Sequence, residues 1–418
     1  MSQLPAGWSS VRLGDLGTWY GGGTPSKSRP EFWEGGSIPW LSPKDMGADV
    51  IGSTQDLITE AAVAESATRL VPAGSVAVVV RSGILERKLP VALVPMEVSL
   101  NQDMKALVPR ADVDPRWVAW GLRATGQDIL GRCRKAGTTV ASIDTKLLLA
   151  QLLPLPPLEE QQCLVDLLED HLSRLDAASA MVTGAAKRTW TVERAALDAF
   201  TSSGEGLVPM AALVERVEAG RSFGAASRPA SESEWGIIKV SAMTWGAFRP
   251  EENKVVNDIS RVDERFEIRT GDLLVSRANT SAYVGAAVLV EQPRQKLLLS
   301  DKSLRLVPKA GVDPAYLHAV LRAPRTRSQI TAMATGTKDS MRNISQGSLL
   351  SVLVPITSEE GQQQVVDAVR GFTVALLRLR ADLDRTRTRG RALRRALLTA
   401  AFNGDLTRVP SRNHLSHV

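Results

Sequence analysis

The chain is written twice, and no local pattern constrains its fold as strongly as that repetition does. Val108-Pro109-Arg110-Ala111-Asp112-Val113-Asp114-Pro115 returns as Val307-Pro308-Lys309-Ala310-Gly311-Val312-Asp313-Pro314, an offset of 199 residues. The same offset pairs Ile38, Ser42 and Gly47 with Ile237, Ser241 and Gly246, and Leu122-Arg123-Ala124 with Leu321-Arg322-Ala323. It still holds at Gly137-Thr138 against Gly336-Thr337. A two-residue insertion then moves the offset to 201, which places Ile143, Leu148, Leu149, Leu152 and Pro154 on Ile344, Leu349, Leu350, Leu353 and Pro355. Glu159, Gln161, Gln162, Val165 and Asp166 fall in the same way on Glu360, Gln362, Gln363, Val366 and Asp367. One register sustained over so many positions is a tandem duplication with a unit of about 200 residues.

Each copy has two parts. The first parts, 1–157 and 205–357, are rich in Gly and Pro and carry short β-leaning runs such as Ser75-Val76-Ala77-Val78-Val79-Val80 and Asp272-Leu273-Leu274-Val275-Ser276. A helix is predicted after each Asp-Pro, over 116–131 and 315–334, so each first part reads as a compact α+β domain. The second parts, 158–204 and 358–406, contain no Pro and read as long helices. In the later helix a 4-3 stripe runs through Val365, Val369, Phe372, Leu376, Leu379, Leu383, Thr386, Gly390, Leu393 and Leu397. The earlier helix repeats it at Leu164, Leu168, His171, Leu175, Ala178, Val182, Ala185, Thr189, Val192 and Ala196. Such a stripe over more than four heptads is the signature of a coiled coil. Two helices duplicated together make each other's natural partner, and an antiparallel pair with pseudo-twofold symmetry follows. The competing arrangement packs each helix separately on other parts of the chain. Glu159 and Glu160, like Glu359 and Glu360, stand in a first turn where carboxylates complement the helix dipole, which makes them capping residues rather than a catalytic pair. Residues 407–418 are expected to form a disordered tail.

Composition excludes several classes. At 418 residues and 44% hydrophobic the chain can bury substantial cores and is not a disordered one. No stretch approaches the roughly 20 apolar residues that span a bilayer, and the N-terminus has no basic segment followed by an apolar one, so a cytoplasmic location is expected. Two cysteines, Cys133 and Cys163, and four histidines, His171, His318, His414 and His417, exclude a disulfide framework and a CxxC or C2H2 zinc site. There is no GxxxxGK[ST] loop, no HExxH and no Asn/Asp-Pro-Pro-aromatic element; Gly21-Gly22-Gly23-Thr24-Pro25 reads as a plain loop. His171 falls in the helix stripe, and Trp33, Trp40, Trp117 and Trp120 read as packing residues. The net charge of +6 divides into +1 over 1–157, −4 over 158–204, +4 over 205–357 and +5 over 358–418. That mild positive excess suits a polyanionic partner without requiring one.

A family comes into view in the motifs. Leu4-Pro5-x-Gly7-Trp8, Leu13-Gly14-Asp15, Gly22-Gly23-Thr24-Pro25 and Ile38-Pro39-Trp40-Leu41 resemble the opening of type I restriction–modification specificity subunits. So do Pro154-Leu155-Pro156-Pro157-Leu158-Glu159-Glu160-Gln161-Gln162 at the first domain-to-helix junction and the closing run from Leu393 to Ala401-Phe402-Asn403-Gly404-Asp405-Leu406. The second copy departs from the pattern at Pro355-Ile356-Thr357-Ser358-Glu359-Glu360-Gly361-Gln362, which lacks the double proline, and at Ala219-Gly220-Arg221-Ser222, which lacks the glycine run. The resemblance implies two target-recognition domains, 1–157 and 205–357, each reading half of a split site on double-stranded DNA, with helices 158–204 and 358–406 as spacers. It further implies that the helices dock two methyltransferase subunits, that translocase–nuclease restriction subunits join these, and that S-adenosylmethionine, ATP and Mg²⁺ belong to the partners. No catalytic, cofactor-binding or metal residue is then expected in this chain.

Base readout needs directed donors and acceptors on loops, with Lys and Arg holding phosphates around them. The candidates in the first domain are Tyr20, Thr24, Lys27, Lys44, Arg87, Lys88, Asn101, Gln102, Arg134 and Lys135. In the second they are Arg221, Lys239, Arg277, Asn279, Asp301, Lys302, Lys338 and Arg342. For each, an ordinary solvated surface position is the competing assignment. Two other functions stay open at this point: a fused or stand-alone DNA methyltransferase, and a coiled-coil scaffold that binds proteins and no DNA.

Overall fold

Each Asp-Pro pair starts a helix because both residues suit the place. The carboxylates of Asp114 and Asp313 accept hydrogen bonds from the backbone N–H of Arg116 and of Ala315, both at 2.7 Å, and the proline in the first turn lacks an N–H that would have no partner there. These contacts belong to a computed structural model that describes residues 4–135, 140–202, 204–222, 227–244, 246–336 and 341–406; the tail expected over 407–418 lies outside the described residues. The chain divides into two units. The first holds the residues up to Met181 and those from Thr386 onward, and the second holds Val182–Arg385.

The first unit begins with β1 (Ser9–Arg12), β2 (Gly17–Gly21), β3 (Ile38–Leu41), β4 (Asp56–Ile58), α1 (Glu60–Glu65), β5 (Leu70–Val71) and β6 (Ser75–Val79). It continues with β7 (Val91–Val94), β8 (Val98–Leu100), β9 (Met104–Pro109), α2 (Pro115–Ala124), α3 (Gly126–Cys133), α4 (Thr145–Leu149) and β10 (Leu152–Leu155), then enters the long helix α5 (Leu158–Thr201). An antiparallel sheet of order β2-β9-β6-β7 forms the floor, with Val76 opposite Leu107 and Val78 opposite Lys105. A second sheet, β4-β3-β8-β5, contains the parallel pair β3–β8, and β1 zips to β10.

The second unit repeats this plan. Its strands are β11 (Gly206–Pro209), β12 (Val214–Ala219), β13 (Gly236–Ile238), β14 (Asn253–Val255), β15 (Leu273–Ser276), β16 (Ala278–Asn279), β17 (Ala287–Leu289), β18 (Leu297–Leu298) and β19 (Ser303–Pro308). After them come α6 (Pro314–Arg322), α7 (Pro324–Met333), β20 (Arg342–Asn343), α8 (Gln346–Leu350), β21 (Leu353–Ile356) and the second long helix α9 (Glu359–Asn403). The floor is β12-β19-β15-β17, the smaller sheet is β14-β13-β18 with a parallel β13–β18 pair, and β11 zips to β21. The α+β class is therefore observed in both units.

The helix expected after each Asp-Pro is broken in two. Ala323 is extended (φ −60°, ψ 138°) because Pro324 follows it and bars the helical region to its predecessor. In the first unit Thr125 leaves the helix (φ −95°, ψ 3°) and turns its hydroxyl onto the carbonyl of Gly121 at 2.7 Å.

Both long helices leave their units through a buried glutamine. Gln161 is 0% exposed; its Oε1 accepts from the N–H of Asp114 (2.8 Å), and its Nε2 donates to the carbonyls of Pro156 (2.8 Å) and Asp112 (3.1 Å). Gln362 does the same with Asp313 (2.8 Å), Gly311 (3.1 Å) and Thr357 (3.5 Å). Beside each glutamine an aromatic of the Asp-Pro helix reaches the strand that precedes the long helix. Trp117 donates to the carbonyl of Pro154 and Tyr316 to that of Pro355, both at 2.9 Å. Burial pushes the Tyr316 phenol up to about 12, so it stays a donor.

The two long helices pair antiparallel within each unit. In the first, Asp176 meets Arg394 (2.6 Å) and Ser179 lies opposite Gly390; in the second, Glu193 meets Arg380 (2.7 Å) and Phe200 packs on Phe372 (5.9 Å between ring centres). Of the stripe residues, Leu164 and Leu168 are buried in the first unit's core and Val365 in the second's, while Leu175 and Val369 pack against those cores. Leu376 is buried, and Val182, Phe372 and Leu383 are half-buried. Leu379 departs from the expectation: it is 47% exposed, and Val192 and Leu393 are exposed as well. In each case the next residue turns inward instead: Arg380, Glu193 and Arg394. After Leu376 the inward stripe advances by four residues rather than three, because a charged side chain with a partner can occupy the seam at no cost in unpaired charge.

Replacing Gln161 by Leu strips the partners from one buried backbone N–H and two carbonyls. The variant is expected to lose on the order of 3 kcal/mol of stability, read from the denaturant midpoint of the first unit's transition. A loss below about 1 kcal/mol would show that the junction is held by apolar packing alone.

Candidate nucleic-acid interface

The end of β6, the turn after β8 and the strand-like segment after α3 meet at one edge of the first unit. The N–H groups of Val80 and Arg81 both point at the carbonyl of Asp103 (2.8 and 3.3 Å), and the carbonyl of Val80 accepts from Ile143 (2.8 Å). Lys135 donates through its backbone to Ser142 (2.9 Å), and Arg134 bridges to Ile143. On the other side Gly23 donates to the carbonyl of Leu100 (2.8 Å), and the amide of Asn101 reaches the hydroxyl of Thr24 (3.4 Å). Thr24, Asn101, Gln102, Arg134 and Lys135 are thus gathered on one tip.

The second unit builds the same tip. Arg277 donates its N–H to the carbonyl of Lys302 (2.8 Å), and its own carbonyl accepts from Ile344 (3.0 Å). Those are the bonds that Val80 makes in the first unit. Asn279 pairs with Arg342 across β16–β20, and Arg221 bridges to Ser300 with its guanidinium 5.2 Å from the Phe266 ring centre. Arg221, Arg277, Asn279, Asp301, Lys302 and Arg342 therefore share one edge. Lys338 lies outside the described residues.

Glycine makes the tip possible. A Cβ on Gly22 would overlap the carbonyl of Asn101, and one on Gly220 would overlap that of Ser300, the residue 199 positions later. The backbone of β2 or β12 runs against the turn with no room for a side chain. The second copy lacks the glycine run but keeps the one glycine that the packing needs.

Several candidates are committed elsewhere. Asn101 is only 8% exposed, and its Oδ1 accepts from Asp103 N–H (2.8 Å), so it shapes the turn rather than facing outward. Asn279 similarly holds the N–H of Thr280 (2.8 Å) while donating to Ser276 (3.3 Å). Lys44 is paired with Asp56 (2.7 Å) and Lys239 with Glu252 (3.6 Å). Arg87 and Lys88 sit on the β6–β7 loop, where the carbonyl of Arg87 is held by Gln127 of α3 (3.0 Å). Tyr20 packs partly on the core and Lys27 is exposed. Gln102, Arg134, Lys135, Arg221, Asp301 and Lys302 keep exposed side chains at the tips. Arg81, which the sequence reading missed, is exposed at the first tip and paired with Asp103 (2.5 Å); nothing in the repeat marked it, since the position one-for-one with Arg277 is Val80. Trp40, Trp117 and Trp120 are buried and Trp33 packs edge-on against Trp40 (5.1 Å), so they are core as read. Among the described residues no cluster of His, Cys, Asp or Glu could hold a metal ion, and no helix is long and apolar enough to cross a membrane.

Two α+β units with equivalent polar tips, each feeding a long helix, define a fold that known proteins share. Residues 5–179 match the family model of the type I restriction modification DNA specificity domain. The type I restriction enzyme EcoR124I/EcoR124II specificity subunit of Escherichia coli is 50% identical over 157 residues, 38% of this chain and 39% of that protein. The EcoEI specificity subunit of the same species is 28% identical over 193 residues, 46% of this chain and 32% of its relative. The matched stretch thus spans about two-fifths or less of each of these relatives. Among solved structures, a chain from a type I R-M system described for its complex assembly and conformational transition superposes with a TM-score of 0.76 at 18% identity, covering 97% of this chain and 100% of its own. The HsdS subunit from Thermoanaerobacter tengcongensis gives 0.61 at 18% identity, covering 96% and 98%. Over almost its whole length the chain has the fold of these structures. Residues 5–179 are the part whose sequence is similar to the type I restriction modification DNA specificity domain.

Gly22→Ala forces a methyl group onto the Asn101 carbonyl. The first unit is expected to lose roughly 2–3 kcal/mol, measured as a drop in its unfolding midpoint, with faster proteolysis in the Asn101–Asp103 turn. A fully native midpoint would mean that the strand can move aside freely.

Proposed function

We propose that the chain is the sequence-reading subunit of a type I restriction–modification complex, and that the two tips each read one half of a split site on double-stranded DNA. The observation that carries this reading is the pair of tips: one backbone frame in both units, with different side chains set on it. Val80 stands where Arg277 stands, and Asn101-Gln102-Asp103 where Ser300-Asp301-Lys302 stands. A constant scaffold with variable polar groups is what two readers of two different short sequences require. The exposed Arg134, Lys135, Arg221 and Lys302 supply phosphate contacts around them. Catalysis is assigned to other chains. Two methyltransferase subunits dock on the long helices and bring S-adenosylmethionine, while restriction subunits that translocate and cut bring the ATP and Mg²⁺ chemistry. The complex acts in the cytoplasm, where its DNA is. Binding-site selection with the reconstituted complex tests the reading. One bipartite motif is expected, and exchange of residues 1–157 for those of another family member should alter one half only. A single uninterrupted motif, or a change in both halves, overturns it.

Within that site Arg277 is the strongest single reader. Arg277→Ala is expected to weaken binding to the preferred sequence by about 1–3 kcal/mol and to relax one position of one half-site, whereas Lys302→Ala weakens all sequences alike and lowers the salt slope by about one. Equal weakening across sequences in Arg277→Ala would make it a phosphate contact. The helices are proposed to set the gap between half-sites. A matched heptad inserted after Val182 and after Leu383 adds roughly 10 Å of helix. Along a duplex that is about 3 base pairs, so the preferred spacer should lengthen by about 2–3 with both half-sites unchanged. Selection from a randomised-spacer library checks it, and an unaltered spacer removes the ruler.

A further inference from the structure

The second unit contains a cavity of 840 Å³ that the reading of DNA does not use. One wall is the part of α5 that carries Trp190, Arg194 and Leu197; the other is α7 with its leading Pro324, and the loop after β16 closes one end. Three guanidiniums line it: Arg322 is paired with Glu193, whereas Arg194 and Arg327 have no carboxylate partner among the described residues. Arg327 on α7 donates to the carbonyls of Val284 (2.6 Å) and Ala282 (3.4 Å), and Arg194 lies 4.7 Å from the Trp190 ring centre. Burial, and after it the charge of Arg194, holds the Arg327 guanidinium below the ordinary arginine value, which marks positive charge left uncompensated. The wall's own acid, Glu193, is already shared between Arg322 (2.9 Å) and Arg380 (2.7 Å). Around these charges the lining is apolar, with Leu197, Met243 and Pro324 within it and Trp190 left 60% exposed at the rim.

We propose that this groove is a docking site for a segment of a partner protein that carries carboxylates next to an apolar or aromatic side chain. Two guanidiniums in a half-desolvated cleft match carboxylates with paired donors, and a bare apolar floor beside an exposed tryptophan is stabilised by covering it with side chains. A duplex backbone offers evenly spaced anions but nothing to fill an apolar floor, so the lining favours a protein ligand. The site is peculiar to the second copy. Asp128 stands 199 positions before Arg327, and Arg391 stands 201 positions after Trp190, so the repeat supplies neither the charge pair nor the rim to the first unit. One such segment per chain follows, and the inference does not depend on what the tips read.

The test uses the full chain. A library of random dodecapeptides displayed on phage is panned on it, and a fluorescein-labelled enriched peptide is titrated by anisotropy. Enriched peptides are expected to place Asp or Glu beside an apolar residue. Arg194→Glu and Trp190→Ala, both at exposed positions and checked for native circular dichroism, should each weaken that peptide at least about tenfold. Failure to enrich acidic peptides, or unchanged affinity in both variants, overturns the proposal. So does an equal loss in Arg277→Ala, which would put the peptide on the tip. Competition by a random 30-base-pair duplex whose own binding fails in Arg194→Glu would assign the groove to nucleic acid instead.

Discussion

A glutamine sealed inside the protein governs where each long helix goes. Gln161 and Gln362 each bind three backbone groups, from the turn before the Asp-Pro helix and from the segment that precedes the long helix. An amide is the one neutral side chain that offers an acceptor and two donors on a single plane, so a carboxylate or a leucine cannot make the same set. Because the bonds are buried, their loss is not made good by water. The direction of a helix over 40 residues long is set in its first turn, so a small error there is magnified along its length. The aromatic anchors Trp117 and Tyr316 hold the preceding strand from the opposite side. Neither anchor is the same residue in the two copies, yet both end on the carbonyl of the matching proline, which shows that the donor is what the site requires.

The helix pair follows from that constraint and adds one of its own. Its apolar seam is shared with the cores of the two units, where Trp117 and Phe402 sit 4.3 Å apart in the first and Phe200 meets Phe372 in the second. Between the apolar layers the seam turns polar: Asp176 with Arg394 in one unit, Glu193 with Arg380 and Arg322 in the other. Half-buried ion pairs of this kind contribute little net stability. What they add is identity, since Glu193 and Arg394 occupy corresponding positions 201 residues apart with opposite charge. Both acids stand on α5 and both arginines on α9, so these pairs favour α5 against α9 over α9 against a second α9, where arginine would face arginine.

How far the sequence foretold this varies with the physics. The tandem plan and the class of each unit were legible because a duplication imprints the same core pattern twice. The Asp-Pro starts were legible because capping is local. The helix break at Ala323 was also within reach, since Pro324 stands in plain view and bars the helical region to the residue before it. The seam error at Leu379 has another origin: leucine and arginine both have long aliphatic stems, and only the position of Glu193 on another helix decides which one turns inward. The role of Gln161 could not be read at all, because its three partners are non-local carbonyl and amide groups that every residue carries.

The tips show the same limit in a form that bears on function. Their frame was invisible in the sequence because it consists of backbone hydrogen bonds: Val80 to Asp103 and Ile143, Arg277 to Lys302 and Ile344. The frame asks of the chain only a glycine at 22 and at 220, where the strand crosses the turn, and leaves the outward side chains unconstrained by folding. Residues freed from structural duty are those that can vary without cost to the fold. That freedom also explains why choosing polar residues by type gathered side chains at the tips together with Lys44 and Lys239, each paired with a carboxylate of its own unit. A lysine in a loop and a lysine in an ion pair look alike until the chain is folded, and the distance to Asp56 or Glu252 is what separates them.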